Sequence, residues 1–155
     1  MIPELNKLNS EELELLIKAP LLVSILVAGA DGQIDRNEIK GAMDSAKKKT
    51  KSKSSLRAYY GSVSEDFEDK LKLLIQNYPD SAGKRGEQIS AELEGLNAIF
   101  NKVHGNLSIE IYNSLKSLAL KIAKSSGGFF GLKSVGEEEA RFVELNMIKP
   151  PASLR

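Results

Sequence analysis

Leu21-Leu22-Val23-Ser24-Ile25-Leu26-Val27-Ala28-Gly29-Ala30-Asp31-Gly32-Gln33-Ile34-Asp35-Arg36-Asn37-Glu38 is the stretch around which the rest of the chain can be arranged. From Leu21 to Ala28 the residues are apolar on nearly all sides, the pattern of an element buried in the middle of a domain. Such a run suits helix or strand. Helix is favoured because its surroundings are helical in pattern and no stretch alternates with period two for long enough to argue a sheet. Beyond the Asp-Gly turn, Ile39, Ala42, Met43 and Ala46 recur at spacings of three and four, which predicts an amphipathic helix starting near Asp35. A buried helix, a tight acidic turn and a second helix are the organising unit.

Upstream, Asn9 or Ser10 can cap a helix whose first turn carries Glu11 and Glu12, acids that the helix dipole favours. Leu13, Leu16 and Ile17 continue it. Pro20 lacks the donor an interior position must supply, and predicts a break or kink between this helix and the apolar run. Downstream, the helix from Asp35 ends in Lys47-Lys48-Lys49-Thr50-Lys51-Ser52-Lys53, and the serines that follow suggest a loop. Ser62-Val63-Ser64-Glu65 reads as a capping box for a helix carrying Phe67, Leu71, Leu74, Ile75 and Tyr78 on one face, stopped by Pro79. Asp80 to Gly86 reads as a polar linker.

Ile89, Leu93, Leu96, Phe100 and Val103 then form a stripe that closes at His104-Gly105, with Gly105 as a left-handed cap. Ser108 is placed to cap a helix with a wide apolar face, Ile111, Leu115, Leu118, Ala119, Ile122 and Ala123. A glycine-rich loop follows from Ser125 to Gly136, with Phe129 as its anchor. A last helix is predicted from about Glu137, offering Phe142, Val143, Leu145 and Ile148 to the core, with Pro150-Pro151 as its stop. The expected class is all-α: one domain over residues 1–155, core about 10–148, in a bundle of about seven helices.

Composition bounds what these elements can do. A chain of 155 residues, 41% hydrophobic and 28% charged, is long enough to bury a core without disulfides or a structural metal. Its formal net charge of +1 provides no strong field toward nucleic acid, so a nucleic-acid partner is not expected. With no cysteine, disulfides, thiolate metal sites and cysteine nucleophiles are excluded. The amino terminus lacks a signal-peptide pattern and the apolar run is far short of the roughly 20 residues that span a bilayer, so a cytoplasmic location is expected.

An internal echo emerges from this layout. The helix ending at Val27-Ala28-Gly29-Ala30-Asp31-Gly32 is matched by one ending at Ile122-Ala123-Lys124-Ser125-Ser126-Gly127, and the next helices carry Glu38 and Glu139 near their starts. Two helix-turn-helix units about a pseudo-twofold would bury both central helices. The double pattern, an apolar helix ending in an Asp-Gly turn with Glu seven residues after the Asp, resembles the TerB-like tellurite-resistance family. The likeness runs from about Leu21 to Ile148. It is specific in the first copy, where Ala30-Asp31-Gly32-Gln33-Ile34-Asp35 and Glu38 match, and degraded in the second, where Ser126 stands in place of Asp. The resemblance implies an all-helical domain that binds metal through acidic turns and acts in stress-response assemblies, some membrane-associated, with no known enzymatic activity.

The first turn also has a reading of its own. Aligned on Gly32 it matches the second half of an EF-hand loop: Asp31 before the glycine, Ile34 at the apolar position, then Asp35 and Glu38. The first two ligand positions fall on Val27 and Gly29, which offer no side-chain oxygen. Asp31, the Gln33 carbonyl, Asp35 and Glu38, with Glu139 added by the pseudo-twofold, are the candidate ligands of a divalent cation, calcium by preference, held weakly. The same residues fit plain capping, with Asp35 as N-cap, Glu38 at the reciprocal position and Gly32 relaxing the turn.

A second candidate is the basic run Lys47, Lys48, Lys49, Lys51, Lys53 and Arg57, which suits an anion or a membrane surface, with Tyr59 and Tyr60 adding amphipathic area. The competing reading is a solvated helix end, neutralised by Glu65, Asp66, Glu68 and Asp69. His104, the sole histidine, has no visible partner for base chemistry, and Ser125 to Gly128 lacks the lysine of a phosphate loop. No catalytic set is found. The expected function is non-enzymatic binding: a cation at the acidic turn, or, metal-free, a protein partner.

Overall fold

A computed structural model of the chain describes residues 2–30, 34–50, 54–125 and 144–151. Among them the structure is all helical, without strands: a 3-10 turn at Pro3–Leu5, then α1 (Ser10–Ala28), α2 (Arg36–Lys48), α3 (Ser54–Ser64), α4 (Phe67–Asn77), α5 (Ala82–Glu94), α6 (Leu96–Ile99), a 3-10 turn at Phe100–Lys102, and α7 (Leu107–Ser125). The predicted glycine-rich loop, the echo of the acidic turn and most of the last predicted helix fall outside the described residues.

α1 is the axis. It packs against every other labelled helix, most extensively α7 and then α5. All residues from Ala19 to Gly29 are buried, as their unbroken apolar pattern requires. Asn9 caps the helix in a full capping box: its side chain accepts from the Glu12 N–H at 2.8 Å, and the Glu12 carboxylate accepts from the Asn9 N–H at 3.0 Å.

Pro20 does not break α1; the helix runs through it. A proline at that position cannot donate to the carbonyl four residues earlier, which leaves the Leu16 carbonyl without its helical partner. The Tyr59 hydroxyl, wholly buried on α3, donates to that carbonyl at 2.6 Å. A side chain 43 residues away thus replaces the missing backbone donor.

Several other expectations are corrected. Ser54 to Ser64 is helical, because Leu56, Tyr59, Tyr60 and Val63 form a buried stripe within a segment whose serines suggested a loop. The Ser62-to-Glu65 capping box does not form; α4 begins after Asp66, which adopts a left-handed φ of 51° and makes no side-chain cap. Arg85 and Gly86 belong to α5, capped by Ser81, so only the residues before Ala82 connect it to α4. Ser108 lies inside α7, buried, rather than at its cap. At the other end, Glu144 is helical but Leu145 takes a φ of 55° and a turn follows, so the helix stops before Ile148, although Leu145 and Ile148 both reach the core.

Other readings match. Tyr78 is extended ahead of Pro79, ending α4. Ile89, Leu93, Leu96, Phe100 and Val103 are all buried, and Gly105 has a φ of +63°.

Candidate functional site

The acidic turn lies between two well-defined helix ends. On the α1 side, the Gly29 N–H bonds back to the Ile25 carbonyl at 2.9 Å. The Gly29 carbonyl accepts from Arg85 Nη2 at 2.9 Å, and Arg85 Nη1 donates to the carbonyls of Asp80 at 3.1 Å and Pro79 at 3.5 Å. Arg85 is only 5% exposed, so a guanidinium is buried where α1 ends, with main-chain carbonyls as its hydrogen-bond acceptors. The placement suits the negative end of the α1 dipole. It also sets a fixed positive charge at Gly29, one of the two first ligand positions of the EF-hand register, neither of which carries a side-chain oxygen here.

On the α2 side, Asp35 is the N-cap: its Oδ1 accepts from the Asn37 N–H at 2.9 Å and the Glu38 N–H at 3.3 Å. Glu38 sits half-buried in the first turn of α2. Of the candidate cation ligands, therefore, Asp35 and Glu38 are placed at one helix start, whereas Asp31, Gln33 and Glu139 lie outside the described residues. Among the described residues no three acid or histidine side chains gather into a metal-binding group.

The basic run divides similarly. Lys47 and Lys48 complete the last turn of α2 and Lys49 is its C-cap, all exposed; Arg57 is exposed on α3; Lys51 and Lys53 lie outside the described residues. Tyr59 and Tyr60 do not extend this surface. Both are fully buried, edge to face with ring centres 5.1 Å apart, and belong to the core. No helix among the described residues is long and apolar enough to cross a membrane. His104 is exposed, its main-chain N–H donating to the Glu4 carbonyl at 3.1 Å.

A feature that sequence reading passed over lies between α1 and α4. Leu13, Ile17 and Leu21, spaced by four, form a ridge along α1, and Leu73 and Leu74 face it from α4. They enclose an open groove of about 530 Å³. Leu73 is 59% exposed, a large apolar side chain left in water. Lys18 and Lys70 stand at the rim, Lys18 pairing with Glu92 at 3.2 Å and Lys70 donating to the Ser62 carbonyl at 3.2 Å. Leu73 falls off the α4 stripe of Phe67, Leu71, Leu74, Ile75 and Tyr78. That off-stripe leucine was the available signal.

Comparison with protein-family models, with curated proteins and with solved structures gives no match.

Proposed function

We propose that this chain is a non-enzymatic, TerB-like helical module that binds a partner protein, taking an amphipathic helix of that partner into the α1–α4 groove. The observation that carries the reading is the exposed Leu73 opposite the Leu13–Ile17–Leu21 ridge. A trough between two helices, with an apolar ridge at four-residue spacing, is the shape into which a third helix packs. Glu14, Lys18 and Lys70 are the charged residues of the lining; the two lysines, one from each wall, with Lys18 also paired to Glu92, outnumber the acid and suit a helix with acidic residues on its flanks. The TerB-like character and the stress-response setting rest on the sequence resemblance; the single domain of about seven helices, the helix-turn-helix duplication and the cytoplasmic location rest on length, residue pattern and the missing signal-peptide pattern.

The test uses labelled helical peptides with leucines at spacings of three and four and glutamates on the flanks. Binding should raise their fluorescence anisotropy, shift the amide resonances of Leu13, Ile17, Leu73 and Leu74, and fall at least tenfold in Leu73→Glu. Peptides that bind without moving those resonances, or equally well to Leu73→Glu, would sink the reading.

A second reading is a divalent cation, calcium by preference, held by Asp31, Gln33, Asp35 and Glu38, with Glu139 contributing. What favours it is that Asp35 caps α2 through Oδ1 for both amides, so that the cap and an ion on Oδ2 are compatible. The buried Arg85 charge beside Gly29 weighs against tight binding. Titration with calcium to millimolar concentration should shift the amide resonances from Asp31 to Glu38, and Asp35→Asn should abolish the shift. Unmoved resonances at that concentration would dismiss it.

A further inference from the structure

The chain from Glu144 to Pro151 lies against the bundle as a strap. Leu145, Ile148 and Pro151, at intervals of three, are buried, whereas Glu144, Asn146, Lys149 and Pro150 are exposed and Met147 is half-buried. Leu145 is wholly buried in a left-handed conformation, with φ 55°. A leucine keeps that conformation only where its surroundings hold it there.

The bundle holds this strap by its main chain. The Asn97 side-chain amide, on α6, grips it twice: Nδ2 donates to the Met147 carbonyl at 3.0 Å, and Oδ1 accepts from the Lys149 N–H at 2.8 Å. On α7, Lys116 has its ammonium 5.7 Å from the centre of the Tyr112 ring and donates to the Glu144 carbonyl. Within the strap, the Ile148 N–H donates to the Leu145 carbonyl at 3.0 Å. Among the described residues, no main-chain to main-chain bond joins residues 144–149 to the labelled helices. The strap can therefore leave without opening any of them.

Proteins hold bound peptides in this way: hydrogen bonds to the main chain give affinity, and buried side chains at fixed spacing give specificity. An amide that both donates and accepts matches one carbonyl and one N–H of any sequence, so selection falls to the three buried positions. We propose that the surface under the strap, marked by Asn97 and Lys116, is a peptide-binding site that residues 144–151 occupy in cis, and that it takes from a partner protein a segment with leucine, isoleucine and proline at intervals of three. Proline suits the last position because it brings no N–H to be buried unpaired. The strap acts as an autoinhibitory plug, since a partner's segment must displace it and the intact chain binds more weakly than the open site. Neither Asn97 nor Lys116 lines the α1–α4 groove, and the two sites are separate.

The test keeps the full chain and lifts the strap by combining Leu145→Asp with Ile148→Asp. This variant should retain the helical circular dichroism and cooperative unfolding of the parent, and should bind a fluorescein-labelled peptide of residues 144–151, read by anisotropy. The parent should bind that peptide at least tenfold more weakly, because its own strap competes. Adding Asn97→Ala to the lifted variant should weaken binding about tenfold, through loss of both main-chain bonds, whereas adding Leu73→Glu should change nothing. In the unaltered chain, the Lys149 amide should exchange with solvent through an opening that leaves the amides of Leu22 to Leu26 protected. Unfolding of the lifted variant, or exchange at Lys149 only through global unfolding, would overturn the proposal by making the strap part of the core. So would absence of peptide binding, binding as tight to the parent as to the lifted variant, or binding indifferent to Asn97→Ala.

Discussion

Tyr59→Phe is expected to destabilise the protein by about 1–3 kcal/mol, the cost of leaving a buried acceptor without its donor. The acceptor is the Leu16 carbonyl, deprived of a helical partner by Pro20 and reached by the Tyr59 hydroxyl at 2.6 Å. Burial first, and the neighbouring Tyr60 second, pushes the Tyr59 phenol well above its ordinary pKa, so it remains a donor at all ordinary pH values. The aromatic packing survives in the variant, which isolates the hydrogen bond. The decisive measurement is a double-mutant cycle in urea. In a Pro20→Ala background the backbone N–H of residue 20 can bond to Leu16, and Tyr59→Phe should then cost at least about 1 kcal/mol less. Equal costs in the two backgrounds would refute the link.

Gly29→Ala should cost about 2–3 kcal/mol, for lack of space rather than for any backbone preference. Its φ of −90° is open to every residue. A Cβ placed there, however, would lie 2.5 Å from Arg85 Nη2 and 2.9 Å from the Ile25 carbonyl oxygen. The guanidinium would be driven from the Gly29 carbonyl while still buried, and charged groups deprived of partners in an interior are costly. Arg85→Met should also destabilise, through the carbonyls it leaves unbonded. Combined, the two substitutions should cost less than the sum of their separate effects, because the methionine leaves no guanidinium to displace. Additive costs in chemical unfolding would mean that the contact contributes nothing.

These two sites mark where the fold could not be read from local pattern. The apolar run from Leu21 to Ala28, the stripe from Ile89 to Val103 and the cap at Asn9 are local signals, and the structure reproduces them. Pro20 carries an equally strong local signal for a break, yet the helix continues because its donor comes from Tyr59, far along the chain. Arg85 looked like part of a linker because its neighbours are polar; its partners are carbonyls of Gly29, Pro79 and Asp80, which sequence spacing cannot show. At the acidic turn, the role of Asp35 as a cap follows from its position alone. The α1–α4 groove needs two helices brought together, and only the misplaced Leu73 hinted at it.

The central position of α1 bears on how the molecule is made. This helix, buried from Ala19 to Gly29, leaves the ribosome well before α7, its most extensive neighbour and the last of the labelled helices. Until Leu107 to Ser125 have been synthesised, the most apolar face of the protein has no permanent cover. At about 5–20 residues per second the interval lasts several seconds. A nascent chain arrested before α7 should therefore be far more prone to aggregate than one arrested after it, and the burden of keeping α1 soluble falls on chaperones during that delay.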